Sequence, residues 1–154
     1  MRSDDLGAAV IQHLIKRVPS LDPQRIDDLI VGCAVPEAEQ GMQIGRMVAL
    51  LSLPQSVSGV TVNRYCGSGL ETIAMGVAKI KAGMADCIVA GGIESMSLVP
   101  TTGHKVSLNW KIANEHPEWF LGMGATAEEI AQDYTISRTD ADLFSYNSHQ
   151  NSTF

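Results

Sequence analysis

Val57-Ser58-Gly59-Val60-Thr61-Val62-Asn63-Arg64-Tyr65-Cys66-Gly67-Ser68-Gly69-Leu70 is the stretch that decides how this chain folds. Its first half alternates and is β-branched, which predicts a strand over 57–63. Leu70, Ile73, Ala74, Val77 and Ala78 then recur at helical spacing until Gly83 closes the run, which predicts a helix. A cysteine therefore stands at a strand-to-helix turn, with glycines at 67 and 69 beside it.

The same alternation continues on both sides. Leu6, Ala9, Val10, Leu14 and Val18 mark a first helix, with Ser3 as its expected N-cap, Asp4 and Asp5 in the first turn, Lys16 and Arg17 in the last, and Pro19 as the stop. Leu29 to Val35 is a continuous apolar run of the kind buried on both faces of a parallel sheet. Ile44, Met47, Val48 and Leu51 mark a second helix that ends before Pro54, and Cys87 to Ala90 form a third strand running into Gly91-Gly92. The order αβαβαβ predicts a parallel sheet with helices on its faces, with ligands beyond the carboxyl ends of the strands. Cys66 lies at such an end.

After Ser95 the pattern changes. Residues 96–125 hold Pro100, Pro117, Gly103, Gly122, Gly124 and both tryptophans without clear periodicity, which reads as a long functional excursion. Two short helices follow, each with a capping-box pattern, Thr126 with Glu129 and Ser137 with Asp140. The pattern thus changes at Ser95, between a sheet part over 1–95 and an irregular and helical part over 96–154.

Composition bounds the function. At 154 residues, 45% apolar, the chain can bury a core without a disulfide framework or a structural metal. Eleven Lys and Arg against 17 Asp and Glu give a net charge of −6, which argues against a nucleic-acid or anionic-membrane surface. There is no apolar run of about 18 residues, so no membrane span is expected. The three cysteines, 33, 66 and 87, show no metal-ligand spacing and suit a reducing compartment.

A thiol at a helix start meets unsatisfied N–H groups and the positive end of the helix dipole, both of which favour thiolate. An ordinary cysteine is about 3% thiolate at pH 7, and a dipole effect of roughly 1 kcal/mol raises that only to roughly 10–20%, so a neighbouring base is still wanted. His13, His104, His116 and His149 offer no convincing partner by position. Gly67 and Gly69 remove side chains beside the sulfur, so an acyl group could reach backbone N–H groups able to hold an oxyanion, those of Cys66 and Gly67 being nearest. On the residues alone, Cys66 reads either as a nucleophile or as a packed thiol, and the glycine pattern would equally suit an anion site. Cys33 and Cys87, inside apolar runs, read as structural.

Asn63-Arg64-Tyr65-Cys66-Gly67-Ser68-Gly69-Leu70, followed at a helix's distance by Ala90-Gly91-Gly92-Ile93-Glu94-Ser95-Met96-Ser97, resembles the thiolases, the acetyl-CoA acyltransferases. The resemblance extends through Met123-Gly124-Ala125-Thr126-Ala127-Glu128 and on to Ser137-Arg138 and Asn147-Ser148-His149-Gln150. It implies the family's layered α-β-α fold with a mainly parallel sheet, plus part of a loop domain. It also implies that Cys66 takes the acyl group of a 3-ketoacyl-CoA, releasing acetyl-CoA, before thiolysis by CoA regenerates it; the reverse is a Claisen condensation. Coenzyme A is then a substrate, and no cofactor is expected to be bound covalently. Met123 matches a methionine lining the acyl-CoA pocket, and Lys105 and Lys111 could meet CoA phosphates. Gly122, where some short-chain biosynthetic thiolases carry histidine, leans towards a degradative or broad-chain enzyme.

In the family a histidine activates the cysteine and a second cysteine moves the α-proton, from Asn-Glu-His and Cys-x-Gly segments that this sequence lacks. Asn114-Glu115-His116 imitates the first but falls in the loop region, as a solvated histidine. The resemblance further implies homo-oligomerisation through the strand at 59–63, and a location in a bacterial cytoplasm or an organellar matrix. We expect an incomplete fold lacking a first strand that lies between the runs at 29–35 and 87–90, with the C-terminal half also missing. The chain would carry the nucleophile half alone; the alternatives are a non-catalytic association fragment or an inactive truncated product.

Overall fold

The computed structural model describes residues 1–152. They divide into two compact units, Met1–Val106 and the residues from Ser107 onward, so residues 96–106 belong with the sheet unit.

In the first unit, α1 (Ser3–Lys16), β1 (Asp28–Gly32), α2 (Ile44–Ser52), β2 (Ser58–Val62), α3 (Ser68–Lys81) and β3 (Ile88–Gly92) follow in the expected order. The sheet is parallel, in the order β2-β1-β3. All five residues of β1 are buried, because the strand is covered on both faces. Leu29 and Val31 join Ile44, Val48 and Ala49 of α2 in the core, and α1 borders the same face through Ile11 and Leu14. On the opposite face Asp28 meets Lys79 of α3 at 2.6 Å, and Gly32 lies against the backbone of Ser68. The period of two along β1 thus sorts its side chains between two helical layers. Leu29 and Ile30, both at 0% exposure, each contribute about 1.5–3 kcal/mol by leaving water.

The sequence reading is corrected at one point of topology. The runs at 29–35 and 87–90, expected to flank an absent strand, instead pair directly as β1 and β3, from Asp28 with Ile88 to Gly32 with Gly92. Both ends of the pair are fastened. The Asp27 carboxylate accepts the N–H groups of Asp86 (2.7 Å) and Cys87 (3.0 Å), and Ile93 N–H donates to the Gly32 carbonyl at 2.9 Å. Since β1 is bonded on both sides, no unpaired backbone is left in the middle of this sheet.

Helix boundaries hold better than helix faces. The apolar residues that reveal α3 are not those that bury it: Leu70 is 73% exposed and Ile73 and Val77 about half exposed, while Ser68, Thr72 and Gly76 face the sheet. Ser3 is not the N-cap of α1. Arg2 holds that place, and Ser3, buried in the first turn, donates to the Glu39 carbonyl at 3.4 Å.

In the second unit, α4 (Trp110–Glu115) and a 3-10 turn at Pro117–Phe120 give the expected excursion some regular structure. α5 (Met123–Asp133) starts three residues ahead of Thr126, with Gly122 as its N-cap, so Thr126 lies inside the helix and donates to the Gly122 carbonyl instead of capping. α6 (Arg138–Asn151) carries the capping box of Ser137 and Asp140 as expected. Residues 153 and 154 of the expected loop domain lie outside the described residues.

Candidate functional site

The turn between β2 and α3 is built by strain and by the bonds that contain it. Tyr65 has φ 45°, the left-handed region that a side-chain-bearing residue avoids. Such a residue costs on the order of 1–3 kcal/mol and persists only when its neighbours over-determine it. Here Tyr65 N–H donates to Asn63 Oδ1 at 2.8 Å. Arg64 N–H donates to Ser68 Oγ at 2.9 Å, and that hydroxyl donates to the Tyr65 carbonyl at 2.5 Å. Across the turn, Arg64 pairs with Glu71 in the first turn of α3 at 2.8 Å.

Cys66 follows Tyr65, in a 3-10 turn (Tyr65–Gly67) that runs straight into α3. Its thiol is exposed, whereas Cys33 is buried and Cys87 half-buried. Burial, and then the Glu94 carboxylate, push the Cys33 thiol up to about 11.

Gly32 lets α3 reach the sheet here. A Cβ on Gly32 would come within 2.6–2.8 Å of the backbone of Ser68 and Gly69, so only glycine permits that approach. Gly69 itself faces open space, with no atom within 4 Å of where a Cβ would stand. The result is a cavity of about 380 Å³ at the carboxyl ends of β1 and β3, lined by Gly32, Ala34, Tyr65, Cys66, Gly69, Gly92, Glu94 and Met96 among others. That volume falls within the usual range for small-ligand sites. The N–H of Gly67, one of the two expected oxyanion groups, is committed to the Arg64 carbonyl at 3.0 Å.

Around the cavity mouth lies a network that sequence reasoning missed. Gln40, at 0% exposure, donates to the Val35 carbonyl at 2.7 Å and to Glu94 Oε1 at 2.5 Å, and accepts the Ser95 N–H. Glu94 Oε2 accepts the Ala34 N–H at 2.6 Å. Glu94 stands in the second family-like motif, but Gln40 carries no local signal; its partners Glu94 and Ser95 are 54 and 55 residues away.

Neither histidine of the first unit, His13 or His104, lines the cavity. Lys105 is exposed. In the second unit His116 stacks on Trp119 at 4.1 Å and meets Glu118 at 3.1 Å, Lys111 is exposed on α4, and Met123 opens α5 at 72% exposure. Among the described residues no cluster of three or more His, Cys, Asp and Glu is placed to hold a metal, and no helix is long and apolar enough to cross a membrane.

An open parallel α-β-α sheet with a cysteine turn at its carboxyl edge agrees with what the family comparison finds: the thiolase N-terminal domain matches residues 1–153, and the chain belongs to the thiolase family. Among its relatives, a 3-ketoacyl-CoA thiolase of Bacillus subtilis is 49% identical over 98% of this chain and 39% of its own length. A β-ketoadipyl-CoA thiolase of Acinetobacter baylyi is 42% identical over 97% of this chain and 42% of its own length. A 3-oxoadipyl-CoA/3-oxo-5,6-dehydrosuberyl-CoA thiolase of Escherichia coli K12 is 40% identical over 97% of this chain, also spanning 42% of its own length. The chain thus spans about two fifths of the length of these relatives.

Proposed function

We propose that this chain carries the nucleophile half of a thiolase-type acyl-CoA acyltransferase, with Cys66 as the acyl acceptor. The observation that carries the reading is an exposed thiol on a strained, hydrogen-bonded turn that opens onto a cavity at the carboxyl ends of the strands. In thiolysis the Cys66 thiolate adds to the keto carbonyl of a 3-ketoacyl-CoA. The bond between the α-carbon and that carbonyl then breaks, acetyl-CoA leaves after taking a proton, and the acyl group stays on sulfur. CoA thiolate attacks this thioester, forms the shortened acyl-CoA and returns Cys66. The Cys66 N–H faces the developing oxyanion, and the glycines keep its approach open. Met123, Lys105 and Lys111 remain candidates for contact with the acyl-CoA. The relatives named as 3-ketoacyl-CoA and β-ketoadipyl-CoA thiolases support acyl-CoA substrates of this class.

The 154-residue chain alone is proposed to accept an acyl group once without turning over, since its sequence holds neither the histidine nor the second cysteine that the family resemblance calls for. The same reading carries self-association through strand 59–63, whose outer edge has no partner strand among the described residues. Acetyl-CoA is the test reagent: Cys66 exchanges thioesters with it, gaining the acetyl group and releasing CoA thiolate. The expected result is an acetyl increment on the peptide containing Cys66, absent in Cys66→Ala. Acetyl found equally on Cys87, or on none of the three thiols, defeats the assignment.

A further inference from the structure

The bonds around Gln40 and those around Tyr65 form one continuous path. Gln40 holds Glu94 at 2.5 Å, Glu94 holds the Ala34 N–H at 2.6 Å, the Ala34 carbonyl accepts Asn63 Nδ2–H at 2.9 Å, and Asn63 Oδ1 accepts the Tyr65 N–H at 2.8 Å. Tyr65 is the left-handed residue that sets the direction of the chain into Cys66. The path crosses three segments, 34–40, 63–65 and 94–95, that are otherwise separate in sequence. Its inner end is anchored, because the Gln40 amide nitrogen donates to the Val35 carbonyl as well as to Glu94, its oxygen accepts the Ser95 N–H, and the residue is fully buried.

We propose that Asn63, Glu94 and Gln40 act as positioning residues, a hydrogen-bonded brace that fixes the Tyr65 turn and so aims the Cys66 sulfur into the cavity. This rests on the reading of Cys66 as acyl acceptor. A brace of this kind matters where geometry is demanding. Acyl transfer needs the sulfur aligned with a bound carbonyl, and a small misplacement costs up to about a hundredfold in rate. Alkylation by a small, freely diffusing reagent has no such requirement. A purely structural role for the same bonds would lower stability and change both reactions together.

Two isosteric variants separate these cases. Asn63→Asp keeps an oxygen for the Tyr65 N–H but loses the donor to the Ala34 carbonyl, and Asn63 is exposed, so folding is little at risk. Glu94→Gln must turn its amide NH2 against either the Ala34 N–H or Gln40. Gln12→Ala, which removes a side-chain bond to the Leu51 carbonyl outside the brace, serves as control. The full chain is assayed for acetyl transfer from acetyl-CoA to Cys66, for iodoacetamide alkylation of Cys66, and for its urea midpoint. The brace predicts acetyl transfer slowed about tenfold or more in both variants, alkylation changed less than about threefold, and neither rate moved in the control. Wild-type acetyl transfer in a folded Asn63→Asp, or transfer and alkylation falling in parallel, overturns the brace while leaving Cys66 as acceptor. No acetyl on Cys66 in the unsubstituted chain overturns the acceptor reading and the brace with it.

Discussion

Gly32→Ala tests how the fold holds the candidate site. Gly32 lies at the end of β1, outside the left-handed region, so alanine suits its backbone and would by itself stabilise the chain by about 0.4–1 kcal/mol through the unfolded state. Space decides otherwise. The new Cβ would stand 2.6 Å from the Ser68 carbonyl carbon, 2.7 Å from its oxygen and 2.8 Å from Gly69 N, all main-chain atoms with no flexible end to swing aside. Overpacking costs about 1–3 kcal/mol, and against backbone the upper part of that range applies, leaving a net loss of about 2 kcal/mol. With a urea slope of about 2 kcal/mol/M, the midpoint falls by about 1 M. Gly91→Ala is the matched control: it sits in the neighbouring strand, opposite Val31, and a Cβ there meets nothing within 4 Å. The clash can be relieved only by moving the start of α3, so Gly32→Ala also alters the alkylation rate of Cys66 while Gly91→Ala does not. Equal urea midpoints for the two variants would refute the close-approach argument.

Three further outcomes are expected. Because the folded state holds the Cys33 thiol up to about 11, while an unfolded cysteine ionises near about 8.5, the folded state keeps a proton that the unfolded state loses. Stability is therefore full below about pH 8.5 and falls as pH rises towards 11, by on the order of 3 kcal/mol; urea midpoints of wild type and Cys33→Ala that change equally over that interval would contradict this. Ser137→Ala removes a capping box and costs about 1 kcal/mol, read as lost amide protection in the first turn of α6, whereas Thr126→Ala leaves α5 capped as before. Lys79→Met strips the buried Asp28 carboxylate of its cation and leaves Ser58 Oγ, at 2.8 Å, as its side-chain donor; with Lys79 about a third exposed, water covers part of the loss, and about 1–2 kcal/mol is expected by urea denaturation.

The parts of this chain legible from sequence are those written in local pattern. Alternating β-branched residues mark Ser58–Val62, a continuous apolar run marks β1, and Ser137 with Asp140 marks a helix start to the residue. The misreadings share a cause, since each depends on what an element packs against. Leu70, Ile73 and Val77 reveal α3, yet it docks by Ser68, Thr72 and Gly76, because a helix that must press its backbone to a sheet needs small residues there. Strand order escapes the sequence because nothing local tells β1 that β3 is its neighbour; the register depends on Asp27 reaching Asp86 and Cys87, 59 and 60 residues on. At the site, Cys66 and its glycines stand out by motif. The left-handed Tyr65 and the buried Gln40 do not, the first because tyrosine rarely adopts that conformation, the second because a glutamine reads as surface until its partners are brought to it.

The central claim, that Cys66 is the reactive thiol of this chain, is tested most directly by mass-mapped iodoacetamide labelling of the folded protein at neutral pH, following all three cysteines in one time course. The account predicts Cys66 first, Cys87 slower, and Cys33 last until the protein is unfolded. Labelling in which Cys33 or Cys87 leads would contradict it.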